Sequence, residues 1–304
     1  MIYNLLTILG PTASGKTSLA AHVASKLGSG VISADSRQVY QGMDIGTGKD
    51  FDDYIIGGKP IPLHLVNICK AGEKYNLFEY QKDFNKVFHQ FSKQNKIPVL
   101  CGGSGLYIEA VLKGYDLSSV PVNQTLRNEL GLKSDEELIK LLASYKKLHN
   151  TTDTKTHKRL IRAIEIEIYQ KENLINPIHD HEIHSLIAGI QFERSEQKKR
   201  ITDRLKFRLE NGMIEEVELL LGNGISPESL IYYGLEYKFI TQYLIGEIEY
   251  DEMFNLLNIA IHQFSKRQMT WFRKMERSGF QIHWLNGILP IEEKVEKILK
   301  LMKG

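Results

Sequence analysis

An apolar run over about 3–9 leads into "GPTASGKT" at 10–17, and a helical pattern continues over about 16–27. The turn obeys G-x-x-x-x-G-K-[ST] between a strand and a helix, the context in which that spacing has physical meaning. Backbone N–H groups at such a helix start converge on an anion, and the glycines let its oxygens come close. Gly10, Pro11, Thr12, Ala13, Ser14, Gly15, Lys16 and Thr17 are therefore expected to form a phosphate-binding loop. Lys16 would reach the terminal phosphate oxygens as a point charge, and Thr17 would offer its hydroxyl to Mg²⁺. The motif alone leaves the reaction open: the phosphates could belong to a nucleotide or to another diphosphate that departs whole.

The first third alternates in the α/β manner. "VISA" at 31–34 reads as a short buried strand, 77–95 as a helix with phenylalanines near one face, and "IPVLC" at 97–101 as a strand entering "GGSG". Strand, crossover helix and strand imply parallel pairing with right-handed crossovers. From about 117 the alternation stops. Residues 124–172 read as helices, with Ser134 and Glu137 spaced as a capping box. "SLIAGIQF" at 185–192 returns to strand character. Helices follow at about 195–221 and 251–278, with Asp251 placed to cap the second and Gly279 to end it. The expected division is a core of 1–116 plus 191–304, with C-terminal helices, and a helical insertion of 117–190.

A phosphate loop that hydrolyses or transfers a nucleotide's terminal phosphate needs an acid at the end of a neighbouring strand to hold Mg²⁺. "IPVLC" ends in glycines instead. The strand-end acid of the first third is Asp35 in "VISADSRQVY", which reads either as a turn residue or as a base that activates an acceptor. "GPTASGKTSLA", "DSRQVYQGMDIGTGKD", "PLHLVNI", "GGSGLYIEAVL", "KRLIRAIEI" and "IHQFSKRQMTWFRK" occur in the order and approximate spacing of the tRNA dimethylallyltransferases, and over roughly 5–275 the chain resembles that family.

The resemblance implies a P-loop NTPase-like parallel sheet with a helical insertion that contacts tRNA. It implies a tRNA prenyltransferase that moves a dimethylallyl group from dimethylallyl diphosphate to the exocyclic amine of the adenosine 3′ of the anticodon, releasing pyrophosphate. The partners would be the tRNA anticodon stem-loop and dimethylallyl diphosphate, the cofactor Mg²⁺, and the enzyme a monomer. Asp35 carries over as general base, with Ser36, Arg37 and Gln38 touching the flipped base and its neighbours. Ser104 stands where the family usually has Thr, positioning substrate, and Arg204 is the favoured diphosphate contact among Arg200, Arg204 and Arg208. Arg127, Lys158, Arg159 and Arg162 match tRNA-contacting positions. Tyr40, Tyr107 and Trp271 are aromatics that could line a base channel, although core packing is their commoner role. The chain departs from the family at His64, which lacks a second histidine beside it, at Gly48 and Asp50, where Ala and Pro are commoner, and in "IYYGLEYKFI" at 231–240.

Net charge is only +2, yet 144–162 carry +5, 194–208 carry +5 and 262–277 carry +4, faces suited to an RNA backbone. The two cysteines, Cys69 and Cys101, are far apart, which argues against a thiolate zinc site. No run is long and apolar enough for a membrane helix, and a cytoplasmic location is expected. "IHDHEIHS" holds His179, His181 and His184, read as a solvent-facing loop in preference to a metal site. The alternative reading is a nucleoside or small-molecule kinase using the same loop for ATP, and a further one is an RNA-binding module without catalysis.

Overall fold

The computed structural model describes residues 3–115, 120–148, 153–173 and 182–303. Its two compact units are Met1–Gly114 with Glu182–Gly304, and Tyr115–His181.

The first unit is built on a six-stranded sheet. Its strands are β1 (Leu5–Leu9), β2 (Val31–Ser33), β5 (Leu63–His64), β6 (Val99–Gly102), β7 (Ser185–Gln191) and β8 (Ile282–Asn286), and β3 (Ile55–Ile56) pairs with β4 (Lys59–Pro60) in a separate hairpin. The order is β5-β2-β6-β1-β7-β8, and every neighbouring pair is parallel. All five residues of β1 are buried, as continuous apolar runs must be when helices cover both faces. Alternate side chains go to opposite layers. Leu6 and Ile8 meet α1 (Lys16–Lys26) and the C-terminal helix, which spans Ile291–Lys303. Leu5 and Leu9 meet the layer that holds Phe84 and Phe88 of α2 (Leu77–Lys93), Ile108 of α3 (Gly105–Lys113) and Phe272.

The expected insertion boundary at 190 is corrected, because Ser185–Gln191 pairs with both β1 and β8 and belongs to the sheet. The insertion consists of α4 (Gln124–Gly131), α5 (Asp135–Tyr145) and α6 (His157–Glu172), packed on Leu130, Leu138, Leu142, Leu160 and Ile164. Ser134 and Glu137 make the expected capping box.

The expected helix 195–221 is two helices, α7 (Arg194–Glu210) and α8 (Met213–Gly222), because Gly212 takes φ 95°, a left-handed conformation that ends one helix and starts the next. The segment after it, where the local pattern predicts no element, forms α9 (Pro227–Tyr233) and α10 (Leu235–Leu244). The long α11 (Tyr250–Arg277) has Glu249 at its N-cap position, so Asp251 is not the cap; it lies in the first turn, where its charge still suits the helix dipole. These helices share a third core with Val39, Tyr40 and Met43, which fastens the loop after β2 to them. Among the described residues no helix is long and apolar enough to cross a membrane.

Within the insertion, Glu165 is buried and receives three groups. Arg127 donates from Nε at 3.0 Å and Nη2 at 2.7 Å, Arg162 donates from Nη1, and the Asn123 N–H donates at 2.7 Å. Burial alone would raise this carboxyl, but the bonds outweigh it and hold the pKa at about 2, against 4.5 for a free glutamate. A depressed carboxylate contributes stability above its unfolded pKa and loses it as the pH falls through the folded one. Protection of the α4–α6 amides from hydrogen exchange, taken relative to the intrinsic rate at each pH, is expected to fall as the pH drops from about 4.5 toward 2, and Glu165→Gln is expected to remove that pH dependence while loosening the unit at neutral pH. An identical pH profile in the variant would show that this carboxylate does not anchor the insertion.

Candidate active site

The glycine loop follows β1. Ala13 and Gly15 take φ 59° and 76°, a left-handed pair that turns successive amides inward. A Cβ on Gly10 would lie 2.8 Å from Ser14 Oγ and 3.2 Å from the Ile190 carbonyl, so the loop closes tightly on itself. Gly15 caps α1 without a side chain, leaving the first N–H groups of that helix for a ligand. Ser14 Oγ is buried without a partner, a mark of a site that expects polar atoms. Lys16 donates to the Pro11 carbonyl at 3.2 Å, and burial pulls its pKa down. Burial pushes the neighbouring Cys101 thiol up to about 12, so it stays neutral at the end of β6.

Helix α7 lies along this loop. Gln197 Nε2 donates to the Thr12 carbonyl at 2.7 Å, Arg200 Nε to the Ala13 carbonyl at 3.1 Å, and Arg204 Nη1 reaches Thr12 Oγ1 at 3.5 Å. The spacing 197, 200, 204, 208 turns one helical face toward the anion site. Arg204 and Arg208 each donate an Nη2 to Asp50, at 2.7 Å in both cases. Burial raises the Asp50 carboxyl, and the two guanidiniums more than reverse it, so its pKa lies below the ordinary value. Gly48 makes the fork possible: with φ 76°, a Cβ there would stand 2.9 Å from Arg204 Nη2 and 3.1 Å from Arg208. The two departures noted in the sequence, Gly48 and Asp50, are thus one local solution. Arg208 keeps only 12% of its side chain exposed.

The turn after β2 lines the same cavity as the glycine loop. Asp35 is half-buried, and its Oδ1 accepts the Arg37 N–H at 2.9 Å, an Asx turn that fixes the carboxylate. Ser104 Oγ accepts the Ser36 N–H at 3.1 Å, so the expected substrate-positioning hydroxyl acts first on the Asp35 turn. Gln38 bridges Ser33 Oγ at 2.9 Å and the Gly48 carbonyl at 3.1 Å. A Cβ on Gly102 would meet the Ala34 carbonyl oxygen at 2.2 Å, which is why the "GG" of this strand end admits no larger residue. Loop 44–50 is pinned from behind. Glu216 accepts N–H groups of Asp44, Ile45 and Gly46 together with the Tyr237 hydroxyl, and the buried Lys49 bonds Asp44, Asn67 and the Tyr40 carbonyl.

Gln268 of α11 joins the halves. Its Oε1 accepts the Thr12 N–H at 2.8 Å and its Nε2 donates to the Gly103 carbonyl at 3.0 Å. Residues 12–17, the Asp35 turn, Ser104, Asp50, the three α7 arginines and Gln268 line a cavity of about 890 Å³. Glu236, at the first turn of α10, also lines it, and burial raises its pKa. Thr17, Asp35 and Asp53 border the same space. Among the described residues no three His, Cys, Asp or Glu groups gather to hold a metal ion.

Other expectations resolve differently. Tyr40 and Tyr107 are buried in the core, and half-buried Trp271 packs against Gly105. Arg127 and Arg162 are occupied by Glu165, whereas Lys158 and Arg159 are exposed. His179 and His181 lie outside the described residues, and His184 faces Glu182 at 3.5 Å. Gln197, Gln268, Glu216, Lys49 and Glu236 carried no signal beyond membership of quoted blocks or charged helices, except Gln268, a polar residue in step with the apolar positions Ile261, Phe272 and Met275.

The model of the family described as IPP transferase matches residues 38–275. The chain belongs to the IPP transferase family. A relative named tRNA dimethylallyltransferase 2, from Phocaeicola vulgatus, is 56% identical over 99% of this chain and 98% of its own. One named tRNA dimethylallyltransferase 1, from Parabacteroides distasonis, is 55% identical over the same shares. The crystal structure of the full-length tRNA isopentenylpyrophosphate transferase of Bacillus halodurans superposes with a TM-score of 0.72 at 28% identity, covering 99% of this chain and 96% of that one. A eukaryotic dimethylallyltransferase acting on tRNA shares the fold, with a TM-score of 0.77 at 19% identity over 94% and 74% of the two chains. The parallel sheet and glycine loop are thus the IPP transferase core.

Replacing Gln268 with Met keeps its volume but strands the Thr12 N–H and the Gly103 carbonyl, each costing about 1–3 kcal/mol if left unpaired. Gln268→Met is expected to weaken binding of inorganic pyrophosphate at least tenfold, measured by titration calorimetry, and to lower the melting temperature. Unchanged pyrophosphate affinity would mean that the loop holds its shape without this clip.

Proposed function

We propose that the protein transfers a dimethylallyl group from dimethylallyl diphosphate to the exocyclic amine of the adenosine next to the anticodon on its 3′ side in tRNA. The observation that carries this reading is that one cavity is lined both by the glycine loop with Lys16 and Arg204 and by Asp35.

In the reaction the allylic C–O bond breaks and a C–N bond forms, the bond electrons leaving with pyrophosphate. Negative charge grows on the leaving group, and the loop amides, Lys16 and Arg204 would stabilise it more in the transition state than in the ground state. Held by Thr17 and the phosphate oxygens, Mg²⁺ would add its charge to the same end of the reaction. The amine sheds a proton as it becomes bonded to carbon. Asp35, held by the Arg37 bond in a turn that Ser104 also fixes, would accept it. On the insertion, the exposed Lys158 and Arg159 would meet tRNA phosphates, while Arg127 and Arg162 keep the unit rigid beneath them.

Incubation with Mg²⁺, an anticodon stem-loop RNA and dimethylallyl diphosphate is expected to add one dimethylallyl mass to the RNA and release pyrophosphate. Phosphate release from ATP in its place would favour a kinase. Asp35→Asn should retain RNA affinity and lose turnover by at least about a hundredfold, the scale of general-base assistance; a variant that turns over normally removes Asp35 from that role. Lys158→Ala together with Arg159→Ala should weaken RNA binding and lower the slope of log affinity against log salt by about one per lost phosphate contact. An unaltered slope takes both out of the interface.

A further inference from the structure

One side chain at the cavity mouth serves neither the anion wall nor the Asp35 turn. Tyr232, in the last turn of α9, has 67% of its surface exposed, beside Tyr233, which ends the helix and is buried. Exposed tyrosines are ordinarily free to rotate, but this one is braced. The Arg37 guanidinium carbon lies 5.6 Å from its ring centroid, and Arg37 Nη2 donates to its carbonyl at 3.2 Å. The Tyr233 ring stands edge-on at 6.0 Å and is itself fixed, donating to the Glu73 carbonyl at 3.0 Å and accepting the Gly72 N–H at 2.6 Å. Arg37 also donates its N–H to Asp35. The ring is therefore joined through one residue to the turn that carries the carboxylate.

A braced aromatic surface in water suits one class of ligand better than another. A prenyl tail gains from burial on all sides, and a ring two-thirds exposed shelters it poorly. An unpaired nucleobase gains from a single flat face, whatever its identity, and a guanidinium held against the tyrosine adds to the platform. Resting on the reading of function above, we propose that Tyr232, backed by Arg37, is a positioning residue on which a base of the unpaired RNA strand stacks at the cavity mouth, holding the target amine in line with Asp35.

The test uses the full chain and three forms: unaltered, Tyr232→Phe and Tyr232→Leu. Because the side chain is exposed, all three should melt alike. The leucine form is expected to raise KM for stem-loop RNA about tenfold, the phenylalanine form to stay within about twofold, and KM for dimethylallyl diphosphate to hold in both. In an RNA carrying 2-aminopurine at the target or an adjoining position, the fluorescence change on binding should survive in the phenylalanine form and be lost in the leucine form. Leucine behaving as the unaltered protein, phenylalanine failing as badly as leucine, or a rise in the diphosphate KM instead would overturn the proposal. If the unaltered protein transfers no prenyl group, the reading of function fails by itself, and equilibrium binding of the same RNA to the three forms still decides for or against stacking.

Discussion

An anion site made of backbone amides works only if those amides stay unsatisfied until the ligand arrives. Left alone, a glycine loop would turn its N–H groups onto its own carbonyls or admit water. Here side chains from distant helices take hold of the carbonyl side of the loop. Gln197 and Arg200 occupy the carbonyls of Thr12 and Ala13, and Gln268 fixes the Thr12 amide to the neighbouring strand end. The rest of the site depends on that bracing, since Lys16, Thr17 and Arg204 take their positions from it.

Charge is handled in the same spirit. The α7 face brings two guanidiniums within reach of the loop, and without a counter-charge they would repel each other and Lys16. Asp50 offsets one of the two charges and orients both side chains, Gly48 clears the space, and Glu216 and Lys49 hold the loop that carries both. Arg204 is thereby left with one edge on Asp50 and the other toward Thr12. This division lets a single residue connect the pinned loop to the anion.

Local signals served the sheet and the loop well, for physical reasons. Buried parallel strands are continuous apolar runs, and a phosphate loop has fixed spacing, so β1, β6, β7 and residues 10–17 were legible. Two-residue β5 and the helices of 223–250 were not, since their stability comes from packing onto Tyr40, Met43 and α11 and not from their own pattern. Among site residues, Asp35 and Lys16 sit where local grammar puts them. Asp50 and Glu216 act across more than 150 residues of chain, a distance over which spacing carries no information. Arg127 and Arg162 show a second role that their block does not announce: their guanidiniums share the buried Glu165 carboxylate inside the unit.

The 2.2 Å approach that a side chain at Gly102 would make to Ala34 means that the tips of two adjacent strands are welded into one rigid ledge. Asp35 and Ser104 both stand on that ledge, so they travel as a unit whatever the surrounding loops do. Remodelling such a pocket for a bulkier acceptor has its room for manoeuvre at the rim, over 46–50 and 231–238. The ledge itself tolerates no new atom.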